Sequence, residues 1–310
     1  MDSTILPQQT NTLKMSVNKI EKIRKNLINI AQTSDSKKVP LITAQAWSIH
    51  ESSNGALLWG NNETTTSEIA SLTKVMTAYC SLNLAKKYKF DLTKTYTEIS
   101  PEASEMNGTT AYLVRNFNIS LIDLLYSLLL PSGNDAAMVL AEFFGKVLSK
   151  DKEFVEIIEK QLSIQVTQNV VEIFVCYMNI TAKELGMSKT HYVNPHGLSY
   201  KENYSCPQDL GLLASKARKN PIFTEIVQCK EYETNQYDAD HKCYPMRLEN
   251  TNQVLGLGFD GMKTGITPSA GPCLIATCKA YGITDIIIIL INCRTTEIRW
   301  NEALILKNWV

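Results

Sequence analysis

Ser71-Leu-Thr-Lys-Val-Met-Thr-Ala-Tyr-Cys-Ser-Leu-Asn-Leu84 marks the point where the chain changes period. Val75, Met76, Ala78, Tyr79 and Leu82 recur at helical spacing, so Ser71 stands on a first helical turn, and Lys74, three residues on, lies over the same face. Upstream the pattern is that of strands. Ala44 to His50 and Ala56 to Trp59 flank Glu51-Ser-Ser-Asn-Gly55, whose Asn-Gly pair marks a hairpin turn. Downstream the chain stays mainly helical to about Ala217, with apolar runs at Val75 to Leu84, Leu121 to Leu130 and Ala136 to Phe144. Sheet signals return at Gly261 to Ile266, Cys273 to Ala280 and Thr284 to Asn292, before a helix from about Thr296 to Trp309. Strands at both ends thus enclose a helical insert. That order predicts an α+β fold, an antiparallel sheet packed with helices plus an inserted helical lobe, with a cleft between the lobes.

The chain has 310 residues, 44% of them hydrophobic, enough for a sizeable core. Its 31 basic and 31 acidic residues cancel, so no global field recruits nucleic acid or an anionic membrane, and a small molecule or peptide is the expected partner. The longest apolar stretch, Ile286 to Ile291 with its flanks, is too short to cross a bilayer and reads as a buried strand. Met1 to Thr12 is polar and lacks the features of a secretory signal, which taken literally keeps the protein inside its cell. The eight cysteines show no C-x-x-C spacing, so a zinc site is not expected, and no cofactor is implied. Cys206, Cys229 and Cys243 sit in polar, loop-like sequence and can pair in an oxidising compartment.

Two segments stand apart. In residues 1–40, Leu13, Val17, Ile20, Leu27 and Ile30 recur at helical spacing with basic residues opposite, which predicts an amphipathic helix docked on the domain as an N-terminal extension. Residues 146–173 are charged and helix-like, with Phe154, Ile157, Ile158, Leu162, Val166 and Val170 near helical spacing, and read as a helical insertion without chemistry of its own.

Three short motifs follow in order: Ser71-Leu-Thr-Lys74, Ser132-Gly-Asn134 and Lys263-Thr-Gly265. Each alone is weak, since a Ser-x-x-Lys arises by chance roughly once in a few hundred residues, and the others are an ordinary turn and strand end. Together they have a mechanistic logic. A serine hydroxyl needs a base to take its proton, and a lysine serves only if burial or a second cation lowers its pKa. Lys74 is that amine, and Lys263 would be the second cation. The Ser132 hydroxyl can relay a proton, the Asn134 amide can hold a peptide bond, and Lys263 and Thr264 can face a terminal carboxylate. Small Gly265 lets a ligand approach the strand.

These motifs, with Ile69-Ala-Ser-Leu-Thr-Lys-Val-Met-Thr77, Pro131-Ser-Gly-Asn-Asp-Ala136, Asn194-Pro-His-Gly-Leu198 and Phe259-Asp-Gly-Met-Lys-Thr-Gly-Ile-Thr267, make residues 41–310 resemble the low-molecular-mass D-alanyl-D-alanine carboxypeptidases of the β-lactamase and DD-peptidase superfamily. The resemblance implies a serine DD-peptidase catalytic domain acting on peptides ending in D-Ala-D-Ala and binding β-lactams. It implies Ser71 as nucleophile, Lys74 as base, Ser132 as relay, Asn134 as substrate clamp, and Lys263 and Thr264 as carboxylate ligands. The N–H groups of Ser71 and Ile266 would form the oxyanion hole. Arg299, or failing it Arg294, matches the family's carboxylate-binding arginine, a surface helix cap being the alternative. The family normally carries a signal peptide, which places it outside the cytoplasm, and often a C-terminal β domain with a membrane anchor. Neither is visible in this chain.

His196 also invites a Ser-His-Asp triad with Asp135 or Asp209, although its place in Asn-Pro-His-Gly reads as structural. Two further functions compete with the carboxypeptidase: a β-lactamase or esterase on the same fold, and an inactive sensor of cell-wall peptides. A sensor need not keep both lysines. A class A β-lactamase needs a loop glutamate, and His191 to Leu198 holds no carboxylate, while flanking Glu184 and Glu202 read as solvated.

Overall fold

The computed structural model describes residues 39–162, 169–280 and 284–310. The amphipathic segment expected in 1–40 lies outside the described residues up to position 38, as does Val166 of the expected insertion.

The hairpin forms where Asn54-Gly55 predicts it. Strand β1 (Ala46–Glu51) pairs antiparallel with β2 (Leu57–Asn61), Asn54 Oδ1 accepts the Ala56 N–H at 2.7 Å, and Gly55 takes φ +77°. After the short β3 (Ser67–Glu68), a 3-10 turn at Ala70–Leu72 runs into helix α1 (Thr73–Lys87). Then come β4 (Tyr96–Glu98), the single turn α2 (Pro101–Ser104), β5 (Asn118–Ser120), α3 (Leu121–Leu129) and α4 (Asn134–Leu148). The expected insertion comprises α5 (Lys152–Leu162) and the start of α6 (Val170–Glu184). Next are β6 (Tyr204–Ser205), α7 (Pro207–Ala217) and α8 (Pro221–Gln228). Five elements close the chain: β7 (Glu231–Tyr237), β8 (Cys243–Glu249), β9 (Phe259–Thr267), β10 (Gly271–Ala280) and β11 (Thr284–Ile291), before α9 (Thr296–Trp309).

The main sheet has the order β2-β1-β11-β10-β9, all antiparallel, so strands from both ends of the chain meet in its middle. Every residue from Ile286 to Ile291 is buried, which means that both faces of the central strand are covered. Helix α7 packs on β1 and β11, while Arg299 and Lys307 of α9 bond to carbonyls of Gly265, Cys273, Leu257 and Gly258. The edge strand β9 lies against the 3-10 turn that carries Ser71.

One sheet was not legible in the sequence. Strands β4, β5, β7 and β8 form a second, four-stranded sheet, whose β7–β8 hairpin is mostly polar, with apolar alternation confined to Tyr244, Met246 and Leu248 of β8. A few side chains anchor it instead: Tyr232 stacks on Tyr126, and Thr234, Gln236 and Leu248 are buried. The hairpin also decides the cysteines. Cys229 precedes β7 while Cys243 opens β8, and the register pairs Glu231 with Glu249 and Tyr237 with Cys243. That puts the two thiols at opposite ends of the hairpin, roughly 20 Å apart. Cys206 is buried at the start of α7, not in a polar loop, and all eight cysteines are free thiols. Among the described residues no helix is long and apolar enough to cross a membrane.

Phe144 anchors α4, the helix that begins at Asn134. Its fully buried ring meets Phe143 and Phe90 edge to face at centroid distances of 5.0 and 6.3 Å. Phe144→Ala is expected to lower unfolding free energy by about 3–5 kcal/mol, the usual cost of emptying an aromatic core site. Urea denaturation measures it, and a loss below about 1 kcal/mol would contradict this packing.

Candidate active site

Ser71 is the middle residue of the 3-10 turn and is half-buried. Ala70 before it adopts φ +48°, a left-handed conformation costing about 1–3 kcal/mol for a residue with a Cβ. The Asn194-Pro-His-Gly197 loop holds the turn in that shape. Asn194 Oδ1 accepts the N–H of His196 and Gly197, at 3.2 and 2.6 Å, and so folds the loop on itself. Gly197 then sits on the Ala70 carbonyl, where a Cβ would come within 2.0 Å of the oxygen. Thr77 Oγ1 donates to Pro195 O at 2.6 Å and Asn203 Nδ2 to Thr73 Oγ1 at 3.0 Å, fastening the loop along α1.

Lys74 is fully buried. Its Nζ lies 2.9 Å from Ser71 Oγ, 2.6 Å from Asn134 Oδ1 and 2.6 Å from the His196 carbonyl. Two of these neighbours are carbonyl oxygens, which only accept. A neutral amine gives its two N–H bonds to them, and its lone pair then faces Ser71 Oγ, in position to take the hydroxyl proton. The sequence reading missed the His196 carbonyl, because a backbone oxygen has no residue signature.

The second wall rises from the end of α3. Ser132 takes φ +67°, its carbonyl accepts Thr109 Oγ1 at 2.5 Å, and its buried Oγ has no hydrogen-bond partner among the described residues. Asn134 Nδ2 donates to Asn107 O at 2.6 Å, which fixes the amide so that Oδ1 faces Lys74. The Asp135 carboxylate accepts Thr110 Oγ1 at 2.6 Å and the N–H groups of Ala111 and Leu113, pinning residues 110–113 beside Ser132 and Asn134.

β9 forms the third wall. Lys263 and Thr264 are buried, and at Gly265 a Cβ would press on Ser71 N at 3.1 Å and Ile69 O at 3.0 Å, so glycine lets the strand pass close to the turn. Ile266, the other expected oxyanion residue, has its side chain 55% exposed. Lys263 Nζ donates to Thr264 O at 3.0 Å, and Thr264 Oγ1 lies 2.7 Å from Thr251 Oγ1. Arg299 needs a correction on one of its expected alternatives. It is buried, so it is no surface cap; its Nη1 donates to Gly265 O and Cys273 O, at 3.1 and 3.0 Å, bracing β9 to β10, while its buried Nε has no hydrogen-bond partner among the described residues. Arg294 is exposed.

The electrostatics follow from burial. Lys74 is held well below the ordinary lysine range, first by desolvation and second by the charge of Lys263, with Asp135 opposing. Desolvation and then the Arg299 charge lower Lys263 to about 7. Both amines are thus biased toward their neutral forms, Lys74 in part by the charge of Lys263. Burial, then Lys74, pushes His196 down to about 3, and its Nδ1 accepts the Leu198 N–H at 3.1 Å. No triad forms around it. Asp135 is bonded as above, and Asp209 accepts Lys189 N and Thr190 Oγ1 at 2.8 and 2.7 Å. Glu184 and Glu202 are exposed. Among the described residues no group of three His, Cys, Asp or Glu is placed to hold a metal ion. A cavity of about 960 Å³ flanks the far end of α1 near Tyr79, Phe90 and Lys216, but it unites none of the Ser71 group.

An antiparallel sheet with a helical lobe and a serine–lysine pair at their junction defines the DD-peptidase fold. The crystal structure of the Streptomyces K15 DD-transpeptidase matches at a TM-score of 0.76 with 27% identity, covering 88% of this chain and 98% of that one. A D-alanyl-D-alanine carboxypeptidase DacD from Francisella tularensis shares the fold at a TM-score of 0.72 and 23% identity, covering 90% of this chain and 74% of that one. The D-alanyl-D-alanine carboxypeptidase family profile, peptidase S11, matches residues 32–171 and 168–295. A D-alanyl-D-alanine carboxypeptidase of Streptomyces sp. strain K15 is 30% identical over 259 residues, 81% of each chain. This chain belongs to the D-alanyl-D-alanine carboxypeptidase family. Bacillus subtilis DacF is 28% identical over 77% of this chain, and Escherichia coli DacC 29% over 88%, but the match spans only 55% and 62% of their own lengths.

The two lysine titrations can be observed directly. In ¹³C-lysine NMR, Lys263 is expected to titrate near 7 and Lys74 well below the ordinary lysine range, and Lys263→Ala should raise the Lys74 value by removing a neighbouring cation. A Lys74 that titrates in the ordinary lysine range would refute this electrostatic picture.

Proposed function

We propose that residues 41–310 form the catalytic domain of a serine-type D-Ala-D-Ala carboxypeptidase acting through an acyl-enzyme on Ser71. The observation that carries this reading is the buried Lys74 amine, whose two carbonyl acceptors leave its lone pair to Ser71 Oγ. Ser71 Oγ attacks the carbonyl carbon of the penultimate D-alanine as its proton passes to Lys74 Nζ. The tetrahedral oxyanion faces the N–H groups of Ser71 and Ile266, in the turn and strand that meet at Gly265. On collapse the C–N bond breaks, and the proton held by Lys74 reaches the leaving nitrogen through Ser132 Oγ, which has no protein partner to compete. Water then attacks the ester, gives its proton to Lys74 and restores Ser71. Lys263 and Thr264 bind the terminal carboxylate, and Asn134 holds the substrate's peptide bond. Arg299 acts behind the strand, through Gly265 O and the charge it presents to Lys263.

The class A β-lactamase alternative calls for a loop glutamate over the ester, and the carboxylates near the 191–198 loop do not supply one: Glu184 and Glu202 are exposed and Asp209 is already bonded. An inactive peptide sensor would have no use for the two depressed lysines.

Benzylpenicillin is expected to acylate Ser71, giving an adduct by intact mass that Ser71→Ala abolishes and that persists for many minutes. Labelling elsewhere would sink the nucleophile assignment, and release within seconds would favour the β-lactamase. Lys74→Ala should slow acylation on the order of a hundredfold or more, as loss of a general base does.

The acylation efficiency of the free enzyme should rise with pH as Lys74 becomes neutral. It should fall again as Lys263 loses its charge near 7. A profile still rising above pH 9 would contradict the role given to Lys263.

A further inference from the structure

The segment Asn250-Thr-Asn252, between β8 and β9, touches two walls of the site at once. The Thr251 N–H donates to Leu130 O at 3.1 Å, two residues before Ser132, and Thr251 Oγ1 lies 2.7 Å from Thr264 Oγ1 and 3.3 Å from the same Leu130 O. Each hydroxyl has one proton, so the arrangement has two states. If Thr251 gives its proton to Leu130 O, Thr264 must donate to Thr251, and an arriving carboxylate meets a lone pair on Thr264. If Thr251 donates to Thr264, the Thr264 proton is free to point at the carboxylate. The 2.7 Å hydroxyl pair fits either direction, but Leu130 O already accepts the Thr251 N–H and lies at a long 3.3 Å from Thr251 Oγ1, which favours the second state.

We infer that Thr251 is a positioning residue that turns the Thr264 hydroxyl into a donor for the substrate's terminal carboxylate and ties that donor to the Ser132 loop. The inference rests on the proposed carboxylate role of Thr264. Thr251 never touches the reacting atoms. Its side chain is exposed, so removing its hydroxyl leaves the core unchanged. The role is selective: it matters for a ligand that brings a carboxylate and not for one that lacks it.

The test compares benzylpenicillin with its uncharged methyl ester on the wild type, Thr251→Val and Thr251→Ser. Thr251→Val keeps the shape and loses the hydroxyl. Acylation of Ser71 by benzylpenicillin should fall about tenfold or more in Thr251→Val, the size of effect that one hydrogen bond to a charged group carries. The loss should appear in the half-saturating concentration and not in the limiting rate. Acylation by the methyl ester should stay within about twofold of the wild type, and Thr251→Ser should restore reaction with benzylpenicillin. An equal loss with both compounds would show that Thr251 is merely structural, and wild-type rates with both would show that Thr264 needs no partner. Either overturns the inference while leaving the proposed function standing. A wild type that takes no label at Ser71 overturns the function and the inference with it.

Discussion

Lys74 is an amine without access to solvent, held within 3 Å of Ser71 Oγ, Asn134 Oδ1 and His196 O, and most of the site is built to satisfy it. Burial disfavours its charged form, so folding carries a penalty whose sign is fixed. Below the lowered pKa the ammonium is buried charged and the penalty is complete. As pH rises toward the ordinary value of 10.5, the penalty fades, because the unfolded chain releases the same proton. A group that costs stability at neutral pH needs a reason to stay. The three contacts supply one, since a lysine kept neutral beside a hydroxyl is a base. Lys263 adds to this from β9, since its charge lowers Lys74 further.

Strain gathers around this amine. Ala70 and Ser132, which shape the turn carrying Ser71 and the loop before Asn134, both take left-handed conformations despite carrying a Cβ. Each is over-determined by neighbours: Gly197 against the Ala70 carbonyl, Thr109 Oγ1 on the Ser132 carbonyl, and the Gly133 N–H on Ser127 O at 3.0 Å. Asp135 and Asn194 look like catalytic candidates but spend their acceptors on nearby N–H and O–H groups, which is how two short loops become rigid.

How much of this was legible depended on whether a residue's role lies in its side chain or its backbone. Ser71 and Lys74 could be paired from spacing alone because a helical turn brings three-apart residues together, and the central strand announced itself as an unbroken run of isoleucine and leucine. The β7–β8 hairpin escaped because Glu231–Tyr237 is largely polar and Cys243–Glu249 alternates only over Tyr244, Met246 and Leu248 with a proline among them, a signal too short for β-propensity to decide. Its turn did leave a trace. Asp238 accepts the N–H of Asp240 and Lys242, an aspartate signature in Asp238-Ala-Asp-His241. His196 was legible as a loop residue but not as a carbonyl donated to Lys74. Arg299 was legible as an arginine of the closing helix but not as one whose Nη1 bonds two strand carbonyls, since those acceptors are backbone oxygens.

The three walls come from segments far apart in the chain, and main-chain atoms take part in several of the ties that hold them. His196 O holds Lys74, Leu130 O holds the Thr251 N–H, and Gly265 runs against Ser71 N. Such ties constrain conformation more than identity. They demand glycine where strand and turn touch and residues tolerant of φ > 0 at a few corners, and leave most side chains free to change. That is a physical reason why a relative with only 27% identity can superpose over 88% of this chain. Much of the rest of the chain need only keep a sheet and a helical lobe packed, whereas Ser71, Lys74 and Asn134 sit where a small displacement breaks contacts of 2.9 and 2.6 Å, and Gly265 where even a Cβ would crowd the turn.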